Sequence, residues 1–250
     1  MLAGWMDRFA QRATARMEAV AAVVPHGSFL LSGAVAGSVY SRVERPAAVI
    51  LLGASHVELE KPVNLMRRGH WITPLGQMRI DEDLADLIHT AVPEAKEDSS
   101  VFAQEHSIEV QLPFLQRLWG LERFVPMVIA AASREVLEEL GMVLSEAVRR
   151  SGKKVTLVIS ANLSRSEPQE TVRVNDQRVI EQLLRLDETG LLETVKRHSI
   201  SMCGVEAAAV GLIAAKHLGA RRATQTLYQS SVDVVGNQLP ASGYAGIVIE

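Results

Sequence analysis

Short runs of apolar and β-branched residues alternate along this chain with stretches of helical periodicity, and this alternation limits the fold more than any other feature. The apolar runs predict strands at Ala21–Val24, Ala47–Leu52, Phe124–Ile129, Val155–Ile159, near Thr226–Tyr228 and at Tyr244–Ile249. Helical spacing relates Ile108, Leu112, Leu115 and Trp119, then Val136, Leu140, Val143 and Ala147, and continues in the Ala-rich run Val205–Leu218. Strands that alternate with helices predict an α/β fold with a mainly parallel central sheet and helices on both faces.

The chain is predicted to form one domain. Its 250 residues are enough for one large core, and no linker long enough to separate two domains interrupts the pattern. Residues 1–20 mix charged and apolar positions and predict an N-terminal amphipathic helix, followed by the α/β domain over residues 21–250. The glycine- and proline-marked segment Gly69–Gly76 predicts an inserted loop or hairpin.

Composition narrows the class of function. A formal net charge of -3 and the lack of a basic stripe argue against nucleic-acid binding. No apolar run reaches the ~18 residues needed to span a membrane. One cysteine excludes an intrachain disulfide and favours a reducing compartment, so a cytoplasmic location is expected. The chain has no phosphate-binding glycine motif, so no nucleotide cofactor is expected.

Polar residues follow three of the predicted strands. His26 follows Ala21–Val24, His56 follows the second strand after a short glycine turn, and Asn162 follows Val155–Ile159. Ligands of open α/β sheets gather beyond the carboxyl ends of the strands, and neighbouring parallel strands bring those ends within side-chain reach. The two histidines are therefore predicted to lie at one edge of the sheet, beside a cleft.

The cysteine has two interpretations. Cys203 precedes Gly204 and the Ala-rich helix, and a helix N-terminus favours the thiolate form. With His26 and His56 it would supply two imidazoles and one thiolate, a plausible ligand set for zinc, iron or copper that leaves coordination positions open. The alternative is that Cys203 is a small buried apolar residue.

Several motifs resemble those of the Memo family, which includes protein B of the AmmeMemoRadiSam system. The match runs from about Val23 to the C-terminus, and its most specific stretch is EHSIEVQLP at Glu105–Pro113. The other matching segments are Val24–His26, Gly53–His56, Trp71–Gly76, Cys203–Gly204, Tyr228–Gly236 and Gly243–Ala245.

The resemblance implies a fold like that of the class III extradiol dioxygenases, which hold non-haem iron. It also implies that metal, where bound, is held at the positions of His26, His56 and Cys203, with His106 lining the same cleft. The alternative for His106 is a residue that begins a helix and satisfies backbone groups.

This chain departs from the family pattern beside the cleft. Where the family commonly has Ser-Ser-Asp-Leu-Ser-His, the chain has Asn162 in place of the acid and Arg165 in place of the last histidine. Phe29 stands where the family commonly has tyrosine. An amide cannot act as a base, and a guanidinium stays cationic at physiological pH. These changes remove proton-transfer groups but spare His26, His56 and Cys203.

Two functions remain open at this point. The first is a protein that binds a divalent transition metal, with an unknown substrate and divergent or absent catalysis; if it is an enzyme, it is a metal-dependent oxidoreductase, and extradiol ring cleavage is not expected. The second is a non-catalytic module that binds an anionic phosphopeptide or small metabolite, with Arg165 supplying charge. Metal content distinguishes them.

Overall fold

A computed structural model of the chain describes residues 2–10, 16–93, 95–236 and 240–250. Its strands are β1 (Ala21–Val24), β2 (Ala48–Ala54), β3 (Val63–Leu65), β4 (His70–Thr73), β5 (Gly76–Ile80), β6 (Arg123–Ile129), β7 (Val155–Ser160), β8 (Arg165–Glu167), β9 (Ala223–Ser230) and β10 (Ala241–Ile249). Each strand predicted from an apolar run is therefore observed.

The helices cover the sheet and connect its strands. They are α1 (Leu2–Phe9), α2 (Phe29–Arg42), α3 (Glu82–Ala91), α4 (Ser99–Gln104), α5 (Leu112–Phe114), α6 (Arg134–Ser151), α7 (Gln169–Leu184), α8 (Glu188–Arg197), α9 (Val205–His217) and α10 (Ser231–Val235). A 3₁₀ turn (Glu109–Gln111) precedes α5 and a π turn (Leu115–Trp119) follows it. Among the described residues, no helix has the length and apolar character needed to cross a membrane.

The strands form one sheet in the order β4-β5-β6-β2-β7-β1-β10-β8, with β3 beside β6 and β9 beside β10. The central strands β5, β6, β2, β7 and β1 are parallel to one another. The last strand, β10, pairs antiparallel with β1, β8 and β9. Strands β1, β2 and β7 are buried along their whole length, as expected for parallel strands covered on both faces. The predicted α/β fold with a mainly parallel sheet is confirmed.

The N-terminal helix is shorter than predicted. The structure has helix over Leu2–Phe9, residues 11–15 lie outside the described part, and the stretch after them is not helical. Met17 instead pairs with the end of α2, donating its N–H to Arg42 O at 2.8 Å and accepting from Glu44 N at 2.9 Å. These backbone bonds compete with helix over residues 16–20. The helix α1 packs on α2, with Met6 fully buried.

The segment Gly69–Gly76 forms the hairpin of β4 and β5, at the end of the sheet. Thr73 closes the hairpin, because its hydroxyl donates to Gly76 O at 3.1 Å and accepts from Leu75 N at 3.0 Å. The predicted hairpin thus extends the sheet at its β4 edge.

Candidate metal centre

Three polar residues occupy equivalent positions at one edge of the sheet. His26, His56 and Asn162 each come two residues after the last residue of their parallel strands β1, β2 and β7. Since β7 lies between β1 and β2, the three strand ends are adjacent. The predicted convergence of His26 and His56 at one edge is observed, with ring centroids 5.3 Å apart.

His106 completes a cluster of three imidazoles. Its ring stacks on His56 with centroids 4.4 Å apart and meets His26 edge-on at 5.6 Å. One nitrogen from each of His26, His56 and His106 can be chosen so that all three lie within 4.8 Å of one another. Among the histidine, cysteine, aspartate and glutamate side chains that the structure describes, these three histidines form the one group close enough to share a metal ion.

A buried chain of hydrogen bonds orients His26. Ser160 Oγ donates to Ser107 O at 2.7 Å and accepts from Gln111 Nε2 at 3.0 Å, so its hydrogen is already used. His26 Nδ1, 3.1 Å from Ser160 Oγ, must therefore be the donor. The chain continues into the core, because the hydroxyl of the fully buried Tyr40 donates to Gln111 Oε1 at 2.9 Å.

This tautomer leaves the lone pair on His26 Nε2. That nitrogen is buried and has no hydrogen-bond partner among the described residues. Burial, and then the neighbouring His56 and His106, lower the pKa of His26 to about 3, so its ring is neutral at physiological pH. A neutral imidazole with a buried, unpartnered nitrogen is suited to bind a metal ion.

Glu105 orients His56. The carboxylate oxygens of Glu105 lie 2.9 and 3.1 Å from His56 Nδ1 and accept the His56 backbone N–H at 2.6 Å. A further bond comes from Ser107 N at 2.7 Å. Since a carboxylate only accepts, His56 Nδ1 carries a hydrogen, and Nε2 is the nitrogen that is left to bind a metal ion once it has lost its own proton. A carboxylate behind a histidine is the common arrangement around protein-bound metals.

The charges of His56 and Glu105 follow from the contacts of these two side chains. Hydrogen bonds that His56 donates to Cys203 and Glu105 raise the pKa of His56 to about 9, so the metal-free ring is protonated at neutral pH. Burial raises the pKa of Glu105, but hydrogen bonds from His56 and Ser107 outweigh it and lower the pKa to about 2. Burial and the charge of His56 lower the pKa of His106. The metal-free cluster therefore holds one imidazolium, balanced by Glu105.

Cys203 lies beside His56, outside the three-histidine set. Its side chain hydrogen-bonds to His56, and its backbone N–H donates to Asn162 O at 3.2 Å. The next residue, Gly204, has a φ of +80°, and a Cβ there would lie 2.8 Å from Ser160 O. Only glycine fits this turn, which holds Cys203 against the end of β7. The assignment of Cys203 as a metal ligand stays a prediction.

Asn162 and Arg165 occupy different places around the cluster. Asn162 Oδ1 accepts the backbone N–H of His26 at 2.9 Å, so this side chain fixes the loop that carries His26. Arg165 is exposed and lines a cavity of about 750 Å³ together with His56 and Cys203. Both residues thus border the site.

Sequence reasoning missed the residues that orient the histidines. Glu105, Ser160 and Gln111 are all buried polar residues. Glu105 and Gln111 belong to the specific stretch around His106, and Ser160 is the last residue of β7. Polar residues of this kind inside apolar surroundings were the available signal, but their partners lie 49 or more residues away in the chain.

The fold and the cluster together define an α/β protein with a candidate metal centre at the carboxyl edge of a parallel sheet. The sequence model of the family described as "Memo-like protein" matches residues 1–248. The chain belongs to the Memo family.

Curated relatives agree with this assignment. A MEMO1 family protein of Pyrobaculum arsenaticum is 35% identical over 234 residues, covering 92% of this chain and 83% of that protein. MEMO1 family protein MK0963 of Methanopyrus kandleri is 35% identical over 230 residues, covering 90% and 81% of the two chains. A MEMO1 family protein of Aquifex aeolicus is 36% identical over 229 residues, covering 91% and 85%.

A solved structure shares the fold. The crystal structure of the uncharacterized protein JW3007 from Escherichia coli K12 matches with a TM-score of 0.57, covering 91% of this chain and 98% of that chain. Its sequence identity is 14%, so the likeness concerns the arrangement of helices and strands alone.

Proposed function

We propose that this protein binds a divalent transition metal through Nε2 of His26 and Nε2 of His56, with His106 and Cys203 as additional ligands. The observation that carries the proposal is the buried, unpartnered Nε2 of His26. A buried polar atom without a partner is costly, and a bound metal ion removes that cost. The short distances between the nitrogens of His26, His56 and His106 support one shared ion.

The ligand types favour zinc, iron or copper. Imidazole suits all three metals, and a thiolate favours zinc and copper. Such an ion, when bound, would supply Lewis-acid or redox chemistry to a molecule in the adjoining cavity. The protein's own part is to hold the two imidazoles in one tautomer through Ser160 and Glu105.

The surrounding residues argue against extradiol ring cleavage. The position of the family's acid is held by Asn162, whose amide cannot accept a proton and whose oxygen already bonds to the backbone of His26. Arg165 cannot release a proton at physiological pH. The proposal is therefore metal binding, with catalysis that is divergent or absent and a substrate that is unknown.

Metal content tests this proposal. Protein purified without chelators or metal-affinity resin is expected to contain about one transition-metal ion per chain by elemental analysis. His26→Ala and His56→Ala should each lose it, because each removes one of two fixed nitrogens. His70→Ala is the control, since His70 lies on the distant strand β4 and should keep the metal. A metal-free wild-type protein that also fails to take up zinc, iron or copper on dialysis contradicts the proposal.

Cobalt separates the roles of His106 and Cys203. Co²⁺-loaded wild-type protein should show a near-ultraviolet thiolate-to-cobalt band that Cys203→Ser abolishes while cobalt stays bound. His106→Ala should keep that band and change the visible spectrum of the ion. A wild-type spectrum without the thiolate band shows that Cys203 is not a ligand.

The substituted positions should tune the affinity. Arg165→His removes a cation from the cavity, and Asn162→Asp keeps an acceptor for the His26 N–H while adding a negative charge. The double variant is expected to bind Fe²⁺ or Zn²⁺ about tenfold more tightly than the wild type. This corresponds to about 1.4 kcal/mol of added attraction between the cavity and the metal ion. Calorimetric titration under anaerobic, reducing conditions measures this. Equal or weaker affinity would show that these positions do not influence the metal.

A second candidate function is a module that binds an anionic peptide or metabolite without metal. The unpaired guanidinium of Arg165 in the cavity favours it. In that case metal-free protein binds a phosphopeptide or small anion, and Arg165→Ala abolishes binding while His26→Ala does not. Binding that requires metal contradicts this second candidate.

A further inference from the structure

Arg165 is an arginine without an acidic partner at the edge of the candidate metal centre. Among the described residues, no Asp or Glu pairs with its guanidinium, and the side chain makes no hydrogen bond. Some exposed arginines of this chain are paired, such as Arg68 with Asp86 at 2.7 Å, whereas others, such as Arg150, have no acidic partner among the described residues. Arg165 differs from both in that it lines a cavity beside His56. An arginine left unpaired beside a cavity is available to a ligand.

The backbone around Arg165 is held in an unusual conformation. Ser201 Oγ accepts from Arg165 N at 2.8 Å and donates to Arg165 O, also at 2.8 Å. The next residue, Ser166, has a φ of +61°, which a non-glycine residue adopts at a cost of about 1–3 kcal/mol. The pairing of β8 with β10 shifts its register at the same place. The hydrogen bonds to Ser201 therefore fix the backbone of Arg165 directly before a strained residue, and strained residues are common at ligand sites.

Arg165 and one histidine of the cluster, His56, border a common cavity. Arg165, His56 and Cys203 all line the cavity of about 750 Å³, a size that suits a small molecule.

We infer that Arg165 anchors the carboxylate of a small organic acid that occupies this cavity and reaches the metal at its other end. The inference rests on the proposed metal centre and adds the chemical class of its ligand. A guanidinium binds a carboxylate through two parallel hydrogen bonds, which fixes the direction of the molecule.

The other side chains that line the cavity favour a singly charged anion with an apolar body over a more highly charged one. Glu58 and Glu206 also line it, and neither is paired with Arg165. Two carboxylates in the wall oppose a dianion such as phosphate more strongly than a monoanion. The rest of the wall is largely apolar, including Leu59, Ile129 and Met202, and accommodates the body of a small acid rather than a highly charged peptide.

The test uses full-length, Zn²⁺-loaded protein and pyruvate as the probe, with neutral pyruvamide and inorganic phosphate for comparison. Calorimetry should show pyruvate binding that Arg165→Gln weakens by about ten- to hundredfold, as expected for lost charge-assisted hydrogen bonds. Arg165→Lys should be intermediate, since lysine keeps the charge but not the planar pair of donors. Arg150→Gln is the control, because Arg150 lies near the end of α6, which leads to the opposite edge of the sheet.

The zinc content of the same samples distinguishes a failure of the inference about Arg165 from a failure of the proposed metal centre. Pyruvate affinity that is absent, or is equal in wild type and Arg165→Gln, overturns the role of Arg165 when zinc is retained. Phosphate that binds more tightly than pyruvate overturns the choice of carboxylate. A wild-type protein that holds no zinc instead overturns the metal centre on which the inference rests.

Discussion

The affinity of this protein for a divalent metal is expected to rise at least about tenfold for each pH unit from pH 7 to pH 9 and then to level off. His56 Nε2 must lose its proton before it can bind a metal, and the hydrogen bonds that this ring donates to Cys203 and Glu105 raise its pKa to about 9. The raised pKa means that the metal competes with a proton below pH 9 and not above it. His26, with a pKa lowered to about 3, adds no further proton over this range.

Zinc titration against a competing chelator at several pH values measures this slope. Calorimetry in two buffers of different ionisation enthalpy should also show at least one proton released per zinc at pH 7.5. In Cys203→Ser the largest cause of the raised pKa is missing, so the affinity should level off at a lower pH. A flat profile between pH 7 and 9 in the wild type would show that His56 does not exchange a proton for the metal.

Glu105→Gln is expected to lower the metal affinity by about 10–100-fold, the usual effect of removing a carboxylate behind a metal-bound histidine. In the wild type, the two carboxylate oxygens of Glu105 accept from three donors, which are His56 Nδ1, His56 N and Ser107 N. The amide of glutamine offers only one oxygen to these three donors. Its NH₂ group would then face N–H donors in a buried position. An unsatisfied buried donor costs about 1–3 kcal/mol, so the free energy of unfolding should fall as well.

Glu122→Gln provides the matched control. Glu122 is exposed and lies directly before β6, at the opposite edge of the sheet, so its replacement should change neither zinc affinity nor stability by more than about 0.5 kcal/mol. Chelator competition and urea unfolding of both variants separate the two effects. If Glu105→Gln retains wild-type zinc affinity, Glu105 does not control the tautomer of His56.

The central strands were predictable because their apolar runs are unbroken. Strands β2 and β7 are buried at every residue, so each position is under pressure to be apolar, and the signal is continuous. The short strands β3 and β8 had no such signal. β8 has the sequence RSE and is mostly exposed. It exists because β10 and Ser201 supply partners for its backbone, and those contacts are distant in sequence.

The end of the N-terminal helix was unpredictable for a similar reason. The alternation of charged and apolar residues continues past Phe9, and helical propensity alone does not stop there. What fixes the backbone at Met17 is its pairing with Arg42 and Glu44, which lie at the end of α2. Tertiary contacts therefore keep the backbone at Met17 out of a helix.

The candidate site was predictable where topology alone brings residues together. His26, His56 and Asn162 follow neighbouring parallel strands at equal offsets, so their convergence followed from the fold. The orientation of their side chains did not follow. The hydrogen bond from His26 N to Asn162 Oδ1 and the contact of Glu105 with His56 depend on loop conformations that spacing does not encode.

Anomalous X-ray scattering from crystals grown with zinc tests the central claim most directly. The account predicts one strong peak at the carboxyl edge of the sheet, about 2.0–2.1 Å from Nε2 of His26 and Nε2 of His56. Nδ1 of His26 should remain hydrogen-bonded to Ser160, and Nδ1 of His56 should remain hydrogen-bonded to Glu105. A zinc ion bound elsewhere, bound through either Nδ1, or absent at saturating zinc would contradict the account.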